Sequence, residues 1–534
     1  MTIGQKIIHL REAGNFTREQ IAEKLSLPVE TIWDWEGDRV CPKWDEIQRL
    51  CGIFGISDDE FRDKTEPDSE DGCRYFGTDG FRGEANADLT AMHAYKIGRF
   101  LGWYYASPLS GCMQKNYRPR VVIGKDTRRS SYMLEYAIAA GLTSSGADAY
   151  MLHVTTTPCV SYAVRQDRFD CGIMITASHN PFTDNGIKII NSHGEKPSDE
   201  ATRLIEAYLD GKLWRLGVSG DDLPLAQGEK IGCIVDHVSG RNRYVGYLIS
   251  LASNSYKNLR IGIDAANGAS WSIARSVFGA LGAQLYMIGD EPDGVNVNRD
   301  CGSTHMEGLC ALVREKHLDI GFAFDGDADR CLAVDEKGNV VDGDAIMYIL
   351  AKRLKGRGML GGDTVAATVM SNSGFVESLR KIGIRCVQTA VGDRFVYECM
   401  QNNDFSLGGE QSGHIILKKY ATTGDGLLTA IMVAEEVCDT KSTLSELASP
   451  VVLYPQFVKN VRVCDKDAVM EDEGVKKRLC EAEESLSGRG RVLLRRSGTE
   501  PVIRIMVESE TDEKCRLLAE SIAEAVREGG HILE

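Results

Sequence analysis

From residue 74 onward, short apolar runs alternate with segments whose apolar residues recur every three or four positions. The first kind of segment is typical of buried strands, and the second of amphipathic helices. The pattern predicts strands at 119–124, 149–153, 171–175, 259–265, 283–288, 318–324 and 363–369, and helices at 130–146, 158–166, 268–281 and 374–382. Because strands that alternate with helices form parallel sheets with crossover helices, the sequence predicts three similar α/β units in series.

A separate helical unit precedes this pattern, over residues 1–64. Thr17 and Gln20 form a capping box, which marks the start of a short helix. Two more helices are predicted after it, at 29–36 and 44–54. The acidic, polar stretch that follows predicts a linker over 65–73.

Composition limits the broad class. At 534 residues the chain is too long for one hydrophobic core and divides into several domains. A formal net charge of −16 argues against broad affinity for nucleic acid or anionic membrane. The 16 cysteines show no paired or regular spacing, which favours reduced thiols over a disulfide framework or a zinc site. With no signal segment and no apolar run of transmembrane length, we expect a cytoplasmic protein without a membrane partner.

The loop 176–181 follows directly after the apolar run 171–175. Its small polar residues and proline predict a tight, exposed loop. Ser178 therefore lies just past a predicted strand end, which is where open α/β sheets bind their ligands. A serine hydroxyl is a weak nucleophile unless a partner, a metal or a prior modification activates it. Taken alone, the loop is equally consistent with a capped turn.

Three aspartates follow another predicted strand at every second position: Asp325, Asp327 and Asp329. Carboxylates with this spacing can direct several oxygens at one hard cation, and such a set suits Mg²⁺. A calcium loop of the EF-hand type is the alternative, because Glu336 stands at its twelfth position. Arg330 stands where that loop requires glycine, and the flanks are predicted strands. The sequence therefore favours magnesium over calcium or a solvated acidic turn.

Two later loops contain glycine beside polar side chains. In the first, over 408–414, glycines let the backbone approach a ligand closely, and Glu410 with Ser412 offers the mixed donors and acceptors that sugar hydroxyls require. In the second, over 495–501, Arg495 and backbone N–H groups form a cradle of the kind that binds phosphate. Each loop alone is also typical of an ordinary surface turn.

Together these loops give the chain a resemblance to a known family. Thr-Ala-Ser-His-Asn-Pro at 176–181, Asp-Gly-Asp-Ala-Asp-Arg at 325–330, Gly-Gly-Glu-Gln-Ser-Gly-His at 408–414 and Arg-Arg-Ser-Gly-Thr-Glu-Pro at 495–501 resemble, in this order, the four loops of the α-D-phosphohexomutases. Members of that family move a phosphoryl group between two positions of one sugar phosphate.

The resemblance covers about residues 74–530 and implies a fold. It implies an α/β protein with three consecutive α/β domains and a C-terminal α+β phosphate-binding domain, preceded here by the small all-α unit. The predicted divisions are 1–64 (helix-turn-helix domain), 65–73 (linker), 74–228 (domain I, phosphoserine loop), 229–333 (domain II, metal loop), 334–448 (domain III, sugar loop) and 449–534 (domain IV, phosphate-binding loop).

The resemblance also assigns roles to single residues. It implies that Ser178 is carried as phosphoserine and that its oxygen completes a Mg²⁺ site with the three aspartates. Lys188 or Arg82 would transfer the proton at the sugar hydroxyl. The implied catalytic residues are Ser178, His179, Lys188 and Arg82. The implied substrate contacts are Arg128, Arg330, Glu410, Ser412, Arg495, Ser497, Gly498 and Thr499.

Several further stretches resemble the branch of the family that acts on glucosamine phosphates. They are 75–83, 301–305, 368–372, 391–394, 409–413, 422–429 and 454–456. In the sugar loop, Gln411 is the residue that most favours this branch. The implied reaction interconverts glucosamine 6-phosphate and glucosamine 1-phosphate through a 1,6-bisphosphate, a step toward UDP-N-acetylglucosamine. Two alternatives stay open: a phosphomannomutase/phosphoglucomutase with the same machinery, and a transcription regulator that responds to sugar phosphates.

The front unit resembles helix-turn-helix domains of the Cro/repressor type, through residues 21–37. Such domains bind DNA by placing the second helix of the motif in the major groove. Residues 1–62 contain eight Lys/Arg and twelve Asp/Glu, a balance of −4, and the helix predicted at 29–36 has no basic residue. Since phosphate neutralisation supplies most non-specific DNA affinity, the charges favour a docking or oligomerisation module. DNA and a homodimer both stay open as partners.

Overall fold

The computed structural model describes the chain over residues 3–14, 16–25, 27–37, 42, 44–54, 56, 74–77, 79–111, 117–218, 221–486, 490–496 and 502–533. The predicted linker 65–73 lies outside these ranges. Along the chain, a helical front unit is followed by three α/β units and then by a small antiparallel sheet with helices. The predicted fold class is confirmed.

Four helices form the front unit. They are α1 (Ile3–Ala13), α2 (Arg18–Leu25), α3 (Val29–Glu36) and α4 (Trp44–Phe54). The predicted capping box is present, because the Thr17 N–H donates to Gln20 Oε1 at 2.8 Å and the Gln20 N–H donates to Thr17 Oγ1 at 3.3 Å. Helix α1 is not among the predicted helices. Its Ile7 side chain joins Ile21 and Trp35 in the buried core of the unit, so α1 is an integral part of it.

The first α/β domain is built on a seven-stranded sheet. Its strands are β1 (Phe76–Gly77), β2 (Gly80–Glu84), β3 (Arg120–Lys125), β4 (Asp148–Val154), β5 (Cys171–Ile175), β6 (Asp184–Asn191) and β7 (Ile234–Asp236), in the order β1-β2-β6-β5-β3-β4-β7. Its helices are α5 (Ala91–Tyr105), α6 (Arg129–Ser144), α7 (Thr157–Asp167) and α8 (Asp199–Leu209). Since β7 pairs with β4, this sheet extends past residue 228, the predicted end of the domain.

The second α/β domain contains the aspartate loop. It comprises α9 (Val238–Leu251), β8 (Arg260–Asp264), α10 (Trp271–Ala280), β9 (Gln284–Ile288), α11 (Glu307–Lys316), β10 (Ile320–Phe324), β11 (Cys331–Val334) and β12 (Val340–Val341). The strand order is β12-β11-β10-β8-β9. The aspartates follow β10 directly, as predicted.

The third domain contains the sugar loop. It comprises α12 (Gly343–Gly356), β13 (Thr364–Thr368), α13 (Ser373–Lys381), β14 (Arg385–Thr389), α14 (Asp393–Asn403), β15 (Leu407–Gly409), β16 (Ile415–Leu417), α15 (Gly426–Thr440) and α16 (Leu444–Ala448), with strand order β14-β13-β15-β16. One buried cluster contains Phe322 of the second domain together with Leu350 and Leu427 of the third. These two domains therefore share a core.

The last domain is an antiparallel sheet with helices. It comprises β17 (Gln456–Arg462), α17 (Lys466–Glu471), α18 (Glu473–Leu486), β18 (Gly490–Arg496), β19 (Val502–Ser509) and α19 (Asp512–Glu528), with strand order β17-β19-β18. Its buried residues, including Ile503, Ile505 and Ile522, form a core of their own. Within the described ranges, no helix is both long and apolar enough to span a bilayer.

The seven predicted strands are all present, but the expectation of parallel sheets is only partly right. Strands β3, β4, β5 and β7 are parallel, whereas β6 is antiparallel to β5 and β11 is antiparallel to β10. A parallel return needs a crossover of a dozen residues or more. The segments after β5 and β10 are too short for that, so the chain turns back as a hairpin at both functional loops.

Candidate active site

The serine loop, residues 176–183, connects β5 to β6. Ser178 is buried, with 1% of its surface exposed. Its φ is 51°, in the left-handed region that is unfavourable for residues other than glycine. The Ser178 N–H donates to Thr176 Oγ1 at 2.9 Å, and the Ser178 Oγ donates to Asp325 Oδ2 at 2.5 Å. The loop therefore presents one hydroxyl to the aspartate loop of the next domain.

Arg128 fixes the serine loop through hydrogen bonds to its main chain. Its Nε donates to Asp126 Oδ2 at 2.7 Å, and Nη1 and Nη2 donate to four main-chain oxygens. Those oxygens belong to Ser178, Asn180, Pro181 and Asp184. A guanidinium has five N–H donors, so all of them are used, and the side chain is fully buried. This placement differs from the predicted substrate contact: Arg128 shapes the loop and has no donor left for a phosphate.

The aspartate loop gathers three buried carboxylates. One oxygen from each of Asp325, Asp327 and Asp329 lies within 4.8 Å of the others, a grouping that can hold a metal ion. The Thr157 N–H donates to the Asp327 carbonyl at 3.0 Å, and its Oγ1 donates to Asp327 Oδ2. The calcium-loop alternative does not fit, because β10 and β11 flank the loop and the Glu336 carboxylate accepts from the Ser445 N–H instead.

Two oxygens of this loop are left for a cation. Asp327 Oδ1 and Asp329 Oδ1 are buried and have no hydrogen-bond partner among the described residues. Burial and the neighbouring carboxylates of Asp329 and Asp327 raise the pKa of Asp325 well above its usual range. Three carboxylates so close together stay ionised only if a cation offsets their charge. The residues present therefore fit a hard divalent cation with oxygen ligands.

Lys188 lies beside the same carboxylates. Its Nζ is 2.9 Å from Asp327 Oδ2, 3.0 Å from Asp329 Oδ2 and 3.2 Å from Asp79 Oδ2. Burial alone would lower the pKa of Lys188, but these three carboxylates raise it well above its usual range. Lys188 is therefore a fixed ammonium whose hydrogens are directed at carboxylates.

His179 lies next to Ser178, and the charges of Arg82 and Arg330 act on its imidazole. Arg82 forms an ion pair with Asp79, and Arg330 Nε lies 4.0 Å from Asp329 Oδ1. The Nε groups of both arginines are buried without a hydrogen-bond partner in the described part of the chain. His179 Nδ1 is 3.5 Å from Ser178 Oγ, and burial together with Arg330 and Arg82 lowers the pKa of His179 to about 4. The site thus combines a neutral imidazole with two guanidinium groups.

The sugar loop packs directly against the aspartate loop. The Cys331 N–H, at the start of β11, donates to the Gly413 carbonyl at 3.0 Å. Glu410 Oε1 accepts from the Gly392 N–H at 3.2 Å, and the Ser412 side chain is exposed. Gln411 donates through Nε2 to Asp342 Oδ2 at 3.1 Å. The Gln411 amide is therefore engaged within the protein, whereas Glu410 is half-buried and Ser412 is exposed.

Part of the predicted phosphate loop can be placed. Arg495 lies in β18 directly opposite Arg504 in β19, and burial together with Arg504 lowers the pKa of Arg495. Two adjacent guanidiniums of this kind favour an anion between them. Arg496, which stands where the resembled family usually has proline, pairs with Asp467 at 2.9 Å. Ser497, Gly498 and Thr499 lie outside the described residues.

Comparison with known proteins places this geometry in a family. Profiles described as Phosphoglucomutase/phosphomannomutase match in four parts: alpha/beta/alpha domain I at 73–215, alpha/beta/alpha domain II at 242–338, alpha/beta/alpha domain III at 342–454 and the C-terminal domain at 459–525. A curated phosphoglucosamine mutase from Lachnospira eligens is 55% identical over 458 residues, 86% of this chain and 99% of that protein. The chain belongs to the phosphoglucosamine mutase family.

Other comparisons agree with membership of this family. The phosphoglucosamine mutase of Lachnoclostridium phytofermentans is 53% identical over 86% of this chain and 99% of that protein. The crystal structure of a phosphoglucomutase/phosphomannomutase family protein from Burkholderia thailandensis has the same fold, with a TM-score of 0.71, 23% identity and coverage of 85% of this chain and 97% of that one. A helix-turn-helix domain profile matches residues 3–63, so the front unit is an addition to the family's four domains.

Several residues of the site were not among the predictions. Asp79 bridges Arg82 and Lys188, Thr157 donates twice to Asp327, and Asn298 donates to the serine loop. Asp79 lies in the stretch 75–83, but its ion pairs, like the contacts of Thr157 and Asn298, are formed only in the tertiary fold. A cavity of about 360 Å³ adjoins the site between the first and third domains, and its lining includes Asp79, Lys188, Lys196, Asp329 and Asp393.

Proposed function

We propose that this protein interconverts glucosamine 6-phosphate and glucosamine 1-phosphate through a phosphoserine at position 178 and a 1,6-bisphosphate intermediate. The observation that carries the proposal is the 2.5 Å contact between Ser178 Oγ and Asp325 Oδ2, inside a buried group of three carboxylates. A hydroxyl placed against a cation site is what phosphoryl transfer to serine requires. The identities of 55% and 53% to curated phosphoglucosamine mutases support the amino-sugar substrate.

The reaction divides into two transfers. In the first, O1 of glucosamine 6-phosphate attacks the phosphorus of phospho-Ser178. The O1–P bond forms, the Oγ–P bond breaks, and the proton lost from O1 restores the Ser178 hydroxyl. The 1,6-bisphosphate then turns over in the cleft. In the second transfer the Ser178 Oγ attacks the phosphorus on O6, the O6–P bond breaks, and the serine proton passes to O6, leaving glucosamine 1-phosphate.

Charge stabilisation supplies much of the rate in phosphoryl transfer. We propose that Asp325, Asp327, Asp329 and an oxygen of Ser178 hold Mg²⁺, which when bound neutralises charge on the transferring phosphoryl group. Arg330 and Arg82 add fixed positive charge near His179, the neighbour of Ser178, and their Nε groups are buried without a partner among the described residues. Ion pairs of Asp79 with Arg82 and with Lys188 fix the relative positions of these two cations.

The proton steps need a donor and an acceptor near Ser178 Oγ. Lys188 directs its hydrogens at three carboxylates and has no lone pair to accept a proton, so we propose that it orients those carboxylates and is not the base of either transfer. His179 Nδ1, 3.5 Å from the Ser178 Oγ, is the group placed to accept one. Arg82 is retained as a charge beside the reacting oxygen and not as a base, since a guanidinium stays protonated.

The sugar and its second phosphate need separate contacts. We propose that Glu410 and Ser412 bind the sugar hydroxyls, because they are solvent-accessible polar side chains in the loop whose Gly413 carbonyl accepts from the Cys331 N–H, next to the aspartate loop. We propose that Arg495, with Ser497, Gly498 and Thr499, binds the phosphate that is not reacting. That phosphate alternates between positions 1 and 6, so its site depends on charge more than on the shape of the sugar.

A substrate panel tests this assignment. We expect magnesium-dependent conversion of glucosamine 6-phosphate with kcat/KM at least about tenfold higher than for glucose 6-phosphate or mannose 6-phosphate, since one well-made polar contact is worth that factor or more. The three sugar phosphates would be compared in coupled assays at equal enzyme concentration. Equal or faster turnover of the neutral sugars would move the assignment to phosphomannomutase/phosphoglucomutase. Absence of turnover with all three would favour the regulator alternative.

We propose that the front unit does not bind DNA through α3. This helix exposes Glu30 and Trp33 and contains no basic residue. On the neighbouring helices, Arg11 Nε and Arg18 Nε each donate at 2.6 Å to the buried carboxylate of Glu36, so both cations are already paired. This arrangement supports a protein-docking or oligomerisation module. A homodimer and a cytoplasmic location stay predictions.

Fluorescence anisotropy with the full chain and a labelled DNA duplex checks this point. We expect a Kd weaker than about 100 μM at physiological salt, at or beyond the weak end of non-specific binding, because α3 offers no cation to the phosphates. A protein with a basic recognition helix serves as the positive control in the same titration. Binding tighter than about 10 μM that weakens with added salt would contradict the proposal.

A further inference from the structure

Asn298 connects the serine loop to the second domain. Its Nδ2 donates to the carbonyl oxygens of Ser178 at 2.8 Å and of Asn180 at 3.0 Å. Arg128 Nη2 donates to the same two oxygens, at 2.9 and 2.8 Å. Each carbonyl therefore accepts one hydrogen bond from the first domain and one from the second. An oxygen with two lone pairs is fully satisfied by this pair of donors.

The Asn298 side chain has little freedom to do anything else. It is 8% exposed, and its own N–H donates to the Ala266 carbonyl at 2.9 Å. Its φ of 56° is left-handed, a conformation that asparagine tolerates better than most residues. Gly326 of the aspartate loop lies beside the Asn298 side chain. A Cβ at Gly326 would come within 2.5 Å of the Ser178 carbonyl oxygen and 3.2 Å of Asn298 Nδ2. The amide is thus placed where the serine and aspartate loops meet.

The contacts of Asn298 matter most while Ser178 is phosphorylated. With a free hydroxyl, Ser178 Oγ donates to Asp325, and this bond itself joins the two domains. Phosphoserine has no such proton, so the bond is lost in the phosphorylated enzyme. The hydrogen bonds from Asn298 end on main-chain oxygens, so phosphorylation of the Ser178 Oγ removes no atom that they use. They also oppose relaxation of the left-handed Ser178 backbone, a conformation that persists only when its surroundings fix it.

We propose that Asn298 is a positioning residue that keeps Ser178 in register with the aspartate loop throughout the cycle, a role that rests on the proposed function. Arg128 cannot replace it. All five donors of Arg128 go to groups of its own domain, so Arg128 sets the shape of the serine loop, whereas Asn298 sets its place relative to the second domain. Asn298 touches neither the aspartate oxygens nor the sugar loop in any of its hydrogen bonds described here.

Two variants test the role. Asn298→Gly removes the amide but adopts the left-handed backbone without cost. Asn298→Asp keeps the shape but puts acceptor oxygens against two carbonyls. We expect kcat to fall about tenfold to a hundredfold in Asn298→Gly, since a displacement of about 1 Å costs this much, and further in Asn298→Asp. KM for the sugar phosphate should stay within about twofold of wild type, since Asn298 makes no hydrogen bond to the sugar loop. The affinity for Mg²⁺, measured by calorimetry, should fall, because Ser178 supplies one of the proposed ligands.

Asn86→Gly is the matched control, because Asn86 is an exposed, left-handed asparagine (φ 66°) in the turn after β2. It should leave kcat unchanged. A wild-type kcat in Asn298→Gly, or a loss expressed only in KM, would overturn the proposal. A substrate-free measurement separates it from the assignment of function: amide hydrogen exchange over residues 176–184 should be faster in Asn298→Gly than in wild type. Unchanged exchange there overturns the positioning role whatever the enzyme's substrate is.

Discussion

Ser178→Ala is expected to lower kcat by more than about 10⁴-fold, because the variant lacks the atom that receives and returns the phosphoryl group. Neighbouring hydroxyls do not offer a substitute. Thr157 Oγ1 donates to Asp327 and Thr176 Oγ1 donates to Asp126, so both are engaged in holding the site. Alanine at φ 51° bears the same backbone strain as serine, and the Arg128 bonds end on main-chain oxygens. The fold should therefore be kept.

The measurement combines steady-state kinetics with intact mass. Wild type incubated with glucosamine 1,6-bisphosphate should gain one phosphoryl group, and Ser178→Ala should gain none. Ser276→Ala, at an exposed position of α10, is the control and should behave as wild type. Retained turnover in Ser178→Ala, or phosphorylation at another residue, would show that the nucleophile has been wrongly assigned.

The position of Ser178 is predictable because strand ends can be read from local apolar runs. Strand β5 has the predicted bounds, 171–175, and β10 ends at the predicted residue, 324. A polar loop that begins where such a run stops must lie at the carboxyl edge of the sheet. Ser178 and the aspartates are therefore placed correctly without knowledge of the tertiary fold.

The partners of these loops cannot be obtained in the same way. From sequence, an arginine that binds a phosphate cannot be distinguished from one that donates to main-chain carbonyls. Only the fold shows that Arg128 donates to main-chain carbonyls. Asn298 is 120 residues from Ser178 in sequence. Gln411 is the residue on which the amino-sugar interpretation depends most, yet its amide donates to Asp342. We therefore expect Gln411 to influence substrate choice only through the shape of the sugar loop.

Removal of the divalent cation is expected to lower kcat by about a thousandfold, the equivalent of roughly 4 kcal/mol of charge stabilisation in the transition state. This loss is expected because the negative charge of the carboxylates is not balanced without the cation. Asp325, Asp327 and Asp329 place three acidic groups within 4.8 Å, and Lys188 offsets only part of their charge. Dialysis against EDTA followed by titration with Mg²⁺ should abolish and then restore activity. Ca²⁺ should restore less, because its larger, looser coordination suits a compact carboxylate site poorly.

Asp327→Asn tests the site itself. Asp327 Oδ1 is buried without a partner among the described residues, whereas Oδ2 accepts from both Lys188 and Thr157. The amide therefore removes one anionic ligand and leaves Lys188 with the carboxylates of Asp79 and Asp329. We expect Mg²⁺ affinity to fall by about one to two orders of magnitude, with a parallel loss of kcat at fixed Mg²⁺. Asp300→Asn, at an exposed position of the same domain, should change neither. Full activity of the EDTA-treated enzyme, or of Asp327→Asn without added metal, would mean that Lys188 and the two arginines stabilise the transferring phosphoryl group alone, and that the orphaned aspartate oxygens serve some other purpose.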